Sequence, residues 1–445
     1  FNNQFTYFFM SKKTWLMALA MPVLCGQYLC AQPRVMGIDE LFRLADENSR
    51  SIQSYSTGVD AATEALKAAK AQRLPDIKGT ASVSYLGDGH IWDRHYKNGM
   101  KVDMPHFGNN FALEVQQVLY AGGAISSGIE LAELGKQMAQ LDSEKNRQEI
   151  RFLLVGYYLD LYKLSNQMQV LQKNIQLTDR VIGDMRSRHK QGTVLKNDIT
   201  RYELQKEQLQ LQYTRVEDAY KIMNHQLVTT LHLPAGSQIA PDTTMLNKQI
   251  LPLAETDWQQ LAQQNHIGLK QAETSVLMGK QKLKLERSER LPKIALVAAD
   301  HLDGPITIEV PVLNNNFNYW YVGVGVSYNF SSLFKNNRKI KQSKLELRRA
   351  EEEHLLAQEH VENAVQASYT NFLTSFTDLR TQEKSVQLAL QNYGVVDNRY
   401  KNDLALLTDM LDASNIKLGA ELDLVNARVN VVYNYLKMKY ITHTL

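Results

Sequence analysis

The sequence predicts a mainly α protein with a small β part, in which a unit of long coiled-coil helices plus a β-hairpin is used twice. Three observations lead there. The chain of 445 residues matches itself when slid by 217 residues and, further along, by 211. Apolar residues recur at alternating spacings of three and four over stretches far longer than a globular helix. Short runs alternate apolar with small or polar residues at period two, the mark of a strand with two unlike faces.

The repeat sets the organisation, because each copy of an internal repeat is one structural unit. At the first offset Leu44, Ala45 and Asn48 fall on Leu261, Ala262 and Asn265, and Arg73-Leu74-Pro75 falls on Arg290-Leu291-Pro292. At the second, Tyr158, Lys173 and Gly183 meet Tyr369, Lys384 and Gly394, and Arg188, Leu195 and Asp198 meet Arg399, Leu406 and Asp409. We expect a leader and signal peptide over residues 1–31, a first structural repeat over 32–232, a linker over 233–255 and a second repeat over 256–445.

In the leader, Lys12 and Lys13 precede the apolar run Trp15 to Leu24, and Ala31 supplies the small residue of a cleavage site. The run is too short to span a bilayer as a helix. Phe1 to Phe9 precede Met10 and are expected to lie outside the translated protein. Cleavage removes Cys25 and Cys30, the only cysteines, leaving no disulfide and no thiolate metal site. A net charge of +3 and a mean hydropathy of −0.35 argue against a nucleic-acid-binding tail and against a helical membrane protein.

Each repeat opens with one helix, Ile38 to Ala71 and Thr256 to Glu289. It stops at Arg-Leu-Pro, since a residue before proline disfavours helix. Alternation follows. Ile77, Ala81, Val83 and Tyr85 interleave with Lys78, Thr80, Ser82 and Ser84, and Phe111, Leu113 and Val115 repeat the pattern. In the second repeat Trp320, Val322, Val324, Val326, Tyr328 and Phe330 alternate, whereas Lys293 to Ala299 is apolar on both faces. Runs of about ten residues have the length of membrane-spanning strands. The polar and aromatic stretches Gly87 to Asn110 and Asp303 to Asn318 suit external loops.

Next come very long helices, Ala124 to Lys190 and Lys335 to Lys401. The second carries a stripe of Leu347, Ala350, His354, Ala357, Val361, Ala364 and Ser368. At roughly 1.5 Å per residue each is a rod of about 100 Å. Four strands cannot close a barrel, and a bilayer tolerates no open sheet edge. Closed bacterial barrels start at about eight strands. Several chains must therefore contribute, and a homotrimer with about twelve strands is the simplest solution, closing the rods into a tube as well.

Two turns join the long helices to their successors. They contain Gly192, Thr193, Val194 and Leu195 in one copy and Asp403, Leu404, Ala405 and Leu406 in the other. Gly192 and Asp403 are residues that accept positive φ at a helix end. Small and apolar residues at a rod tip suit docking of a partner's helical hairpins; the alternative is that Leu195 and Leu406 pack the turns on each other. Arg188 and Arg399 stand ready to hold the tip by ion pairs. Asp409 and Asp412, three apart, share one helix face. They suit a ring of carboxylates or, more simply, helix capping. His90, His95 and His106 share a loop without metal-site spacing, and Gly323-Val324-Gly325 has no phosphate-binding helix after it. No catalytic residue, metal or cofactor is expected.

Several of these segments together resemble the TolC-type outer-membrane efflux family: the duplicated Arg-Leu-Pro-x-Ile, Leu119-Tyr120-Ala121-Gly122-Gly123, the two turns, and Thr408 to Ala413 followed by Asn426-Ala427-Arg428. The resemblance implies a trimer with a 12-stranded barrel in outer-membrane lipid and a helical tunnel through the periplasm. It implies a periplasmic adaptor (membrane-fusion) protein and an inner-membrane pump as partners. It places Asp409 and Asp412 at a periplasmic constriction and makes the protein the exit duct for small molecules. A duct for type I protein secretion would share this architecture, and a periplasmic coiled-coil structural protein is the alternative of another class. The chain departs from the family at Asn48-Ser49 and Asn265-His266, where Asn-Pro is common, and at Asp403, where glycine is expected.

Overall fold

The computed structural model describes residues 34–242, 250, 252–309, 311–402 and 404–445. The leader and signal peptide expected over residues 1–31 lies outside them, as does Asp403. The first part of the chain runs β1 (Arg34–Met36), α1 (Ile38–Asn48), α2 (Arg50–Ala71), β2 (Asp76–Tyr85), β3 (Gly89–Ile91), β4 (Met100–Val102), β5 (Phe107–Ala121), α3 (Ala124–Lys190) and α4 (Lys196–Thr230). The second runs β6 (Ile239–Pro241), α5 (Glu255–Asn265), α6 (Ile267–Ser288), β7 (Lys293–Gly304), β8 (Phe317–Ser327), α7 (Ser332–Lys401) and α8 (Leu407–Ile441). Among the described residues no helix is long and apolar enough to cross a membrane.

The main sheet is antiparallel throughout, in the order β2-β5-β7-β8. Residues opposite one another in such a ladder share a face. The register therefore puts Ile77, Val83, Leu113, Leu296, Val322 and Val324 on one side and Lys78, Ser82, Asn110, Glu114 and Gly323 on the other. β7, apolar on both faces in sequence, divides by alternation: Ile294, Leu296 and Ala298 join the apolar side, and Ala295, Val297 and Ala299 the polar side. Strands β2 and β8 are the edges.

Two expectations need correction here. The fourth strand ends at Ser327, so Tyr328 and Phe330 lie beyond it. The loop Gly87 to Asn110 contains the hairpin β3–β4, and its last residues already belong to β5.

The helices extend the sheet. Near it, neighbours follow the order α2, α3, α6, α7, because α2 leads into β2, β5 into α3, α6 into β7, and β8 into α7. Farther away α4 and α8 take the places of α2 and α6, giving α4, α3, α8, α7. Along the seam between α3 and α8, Asn174 donates to Glu421 at 3.0 Å and Gln167 donates to Asn426 at 3.1 Å, with Ala427 buried beside them. The change from strand to helix at α3 needs two glycines. Gly122 and Gly123 have φ of +62° and +85°, and a Cβ on Gly122 would stand 2.8 Å from the Ser288 carbonyl oxygen.

The single opening helix expected in each copy is in fact two. Ser49, with ψ of 121°, donates its N–H to Ala45 and accepts from Gln53, ending α1 and starting α2. His266, with ψ of 116°, does the same between α5 and α6. These are the Asn48-Ser49 and Asn265-His266 sites; neither Ser49 nor His266 caps the following helix with its side chain, and the break is the single extended residue itself.

The break turns α1 into a core with Leu41, Leu44, Leu154, Leu159, Leu227 and Leu436. The start of the linker is not structureless: β6 pairs in parallel with β1. The Tyr158 hydroxyl reaches the carbonyls of Met36 at 3.0 Å and Asp242 at 2.9 Å, fixing both segments to α3.

Beside this core the His266 and His443 rings meet edge to face at 4.5 Å between centroids. Burial first, then His443 and Lys145, hold the His266 imidazole down to about 4. Burial likewise lowers His443. An imidazole with a lower pKa folded than unfolded takes up its proton on unfolding. Its stabilising effect is complete above about 6.5 and is lost as pH falls toward about 4. The melting temperature is expected to fall across that window, and His266→Gln to flatten the fall, as followed by circular dichroism.

Candidate functional site

The ends of α3 and α7 farthest from the sheet carry the two turns. In the first, Gly192 has φ of +79°. Its N–H bonds to the His189 carbonyl at 2.9 Å, and the Thr193 N–H bonds to the Arg188 carbonyl at 3.1 Å. That pair of bonds is a Schellman ending, which a left-handed glycine permits. The Thr193 hydroxyl also donates to Arg188, at 3.1 Å. In the second turn the Leu404 N–H bonds to the Arg399 carbonyl at 2.8 Å, the same bond 211 residues on. Asn402 adds a side-chain bond to the Asn398 carbonyl, 2.7 Å long.

Leu195 and Leu406 are the N-cap residues of α4 and α8. Leucine has no oxygen to offer the free N–H groups of a first turn, and a Ser, Asp or Asn there would stabilise the helix by about 1 kcal/mol more. Both leucines are also 71% exposed, and Leu404 67%. They do not pack the turns together. That work falls to Val194, 8% exposed, with Ile182, Met185, Ile199, Tyr202, Leu407 and Met410. Burial pushes the Tyr202 phenol far up, and its hydroxyl has no hydrogen-bond partner among the described residues. Burial with Asp397 nearby pushes Tyr393 up to about 12.

The charged residues divide by role. The Arg188 guanidinium lies over the Tyr400 ring, 5.6 Å from its centroid, and within 3.5 Å of the Tyr400 carbonyl. Arg399 donates to the Leu404 carbonyl at 3.3 Å. One Asp409 oxygen accepts the Leu406 N–H at 3.0 Å, half of a capping box. Asp409 and Asp412 are both exposed, on one side of α8. A cavity of about 340 Å³ opens between the ends of α3 and α7 and the start of α8, lined in part by Met185, Arg188, Asp397, Tyr400 and Met410. Sequence reasoning missed Tyr393, Val396 and Tyr400 as the inner wall of the tip, although their spacing of three and four carried the signal.

The tip thus combines a buried apolar interior, apolar residues exposed at helix caps and two exposed carboxylates.

Comparison with known proteins gives a consistent result. A family model described as outer membrane efflux protein matches residues 41–231 and 258–439. The chain is 23% identical over 393 residues to the outer membrane efflux protein BepC of Brucella suis biovar 1 (strain 1330), covering 87% of this chain and 81% of that one. It is 19% identical over 439 residues to the outer membrane protein TolC of Salmonella enteritidis, covering 96% and 86%. Its fold matches the crystal structure of the outer membrane protein VceC of Vibrio cholerae with a TM-score of 0.75 at 14% identity, covering 91% of this chain and 95% of that one.

Proposed function

The chain belongs to the outer membrane efflux protein family, and on that premise we propose that three copies form the exit duct of a tripartite efflux system. The protein resides in the bacterial outer membrane, with its helices in the periplasm. The four-stranded sheet carries the proposal: among the described residues it has two unpaired edges, one mainly apolar face and one mainly polar face. In a bilayer every backbone group needs a partner, so β8 of one copy pairs with β2 of the next. Three copies give about twelve strands, with the apolar face to lipid and the polar face to a water-filled pore. The helices then close into a tube beneath the barrel. Residues 32–232 and 256–445 supply equivalent halves of each subunit.

Small molecules pass through the duct without chemical change. The tip docks on a periplasmic adaptor fed by an inner-membrane pump, through Gly192 to Leu195 and Asp403 to Leu406. Arg188 and Arg399 brace the turns, with carboxylates of neighbouring helices as further partners. Asp409 and Asp412 form two rings of carboxylates at the periplasmic constriction; Asp409 caps α8 with one oxygen and leaves the other for the pore. Such rings attract cations and oppose closure.

Purified protein in planar bilayers is expected to form cation-selective pores that trivalent cations block from the periplasmic side. Asp409→Ala with Asp412→Ala is expected to weaken that block at least about tenfold. Identical block in the double variant would remove the rings, and absence of conductance in the wild type would remove the duct.

A further inference from the structure

We propose that the polar wall of the sheet carries, toward its outer end, a binding subsite for planar aromatic cations. The inference rests on the trimeric barrel, which makes that face the wall of the pore. There Phe317, Tyr319, His301 and Tyr321 form one ladder of rings. His301 and Tyr319 lie 5.0 Å apart between centroids with planes at 13°. His301 and Tyr321 lie 6.2 Å apart at 15°, and Phe317 and Tyr319 5.3 Å apart at 26°. The register builds the ladder: Tyr319 stands opposite His301, Phe317 opposite Asp303, and Tyr321 opposite Ala299, which is too small to hold it away from His301.

Lipid anchoring does not account for these rings. Aromatics that seat a barrel in the headgroup region point to lipid. Trp320 and Tyr85 do so here, on the apolar face, whereas the ladder shares its face with Thr80, Ser82 and Asn110. Internal packing does not account for them either, since Tyr319, Tyr321 and Phe317 are 39%, 48% and 53% exposed. A short stack with exposed ends accepts another flat ring, and a positive charge over a ring face adds to the attraction. The Asp303 carboxylate, opposite Phe317 and oriented by the Asn110 side chain, supplies the counter-charge. Three ladders around one pore would hold a flat cation briefly at the exit.

The full-length channel in planar bilayers, with ethidium added from the barrel side, tests this. Tyr319→Ala with Tyr321→Ala is expected to raise the half-blocking ethidium concentration about tenfold. Tyr319→Phe with Tyr321→Phe should keep wild-type block, because stacking needs the ring and not the hydroxyl. Ethylammonium, a cation without a ring, should act equally on all three. If the double alanine variant does not insert, His301→Gln, which removes the ring between Tyr319 and Tyr321, is compared instead and should weaken ethidium block. Unchanged ethidium block in a conducting variant, or an equal loss with ethylammonium, would overturn the ladder alone. A wild-type protein that forms no pore would overturn the barrel and the ladder together, and is seen before any ethidium is added.

Discussion

Val322→Arg is expected to abolish the heat-resistant trimer in the outer-membrane fraction. Val322 lies in the middle of β8, opposite Ala298, on the apolar face. An arginine at the midplane of a barrel's lipid face costs about 2–4 kcal/mol. A trimer carries three of them, on the strand whose free edge must meet the next copy. The neighbouring Gly323 points the other way, and a Cβ there meets nothing within 4 Å. Gly323→Ser should therefore assemble normally. Two adjacent substitutions with opposite outcomes test the assignment of faces, and unboiled gels of membrane fractions read both. A normal trimer from Val322→Arg together with loss from Gly323→Ser would mean that the faces are reversed.

Much of this architecture was legible because its signals are periodic and punctuated. The bounds expected for α3, Ala124 to Lys190, are those observed, since Gly122-Gly123 precedes the helix and Gly192 follows it. The breaks at Ser49 and His266 were not legible, because apolar residues continue on both sides and only one residue leaves the helix. The stripe on α7 holds through Val361 and Ser368, both buried, and misses at one position. Ala364 was expected to be buried, but Val365 takes that place, with Val361 and Phe372. Here α7 packs on Trp258 and Ala262 of α5 and on Met438 of α8, and the larger Val365 on the same face fills the space between them. The parallel pairing of β1 with β6 spans three residues on each side, too few to leave a pattern.

At the tip, sequence located the turns and their glycine. It did not decide between exposed and packed leucines, since Val194 and Leu195 are equally apolar and only the fold separates them. The role of Asp409 was open for a similar reason. A carboxylate three residues into a helix serves a cap or a pore equally well, and the Leu406 N–H shows that it at least serves the cap.

Leu195→Asp combined with Leu406→Asp is expected to reduce drug resistance to the level of a deletion while leaving the trimer intact. The two effects should even oppose each other. Aspartate at an N-cap stabilises a helix by about 0.5–2 kcal/mol over a residue that cannot cap, so α4 and α8 should gain stability. Function should fall regardless. A leucine buried in an apolar groove of the adaptor contributes about 1.5–3 kcal/mol. Two per subunit are lost, and aspartates in their place would have to be desolvated. Even one such loss per subunit weakens docking by at least about tenfold. Crosslinking from Ala405 to a co-expressed adaptor should disappear, while melting temperature and unboiled trimer are maintained or improved. Val194→Asp is the contrast: it breaks the buried interior of the tip and should lower both stability and function. A double aspartate variant that still crosslinks and still confers resistance would place docking elsewhere on the helical rods.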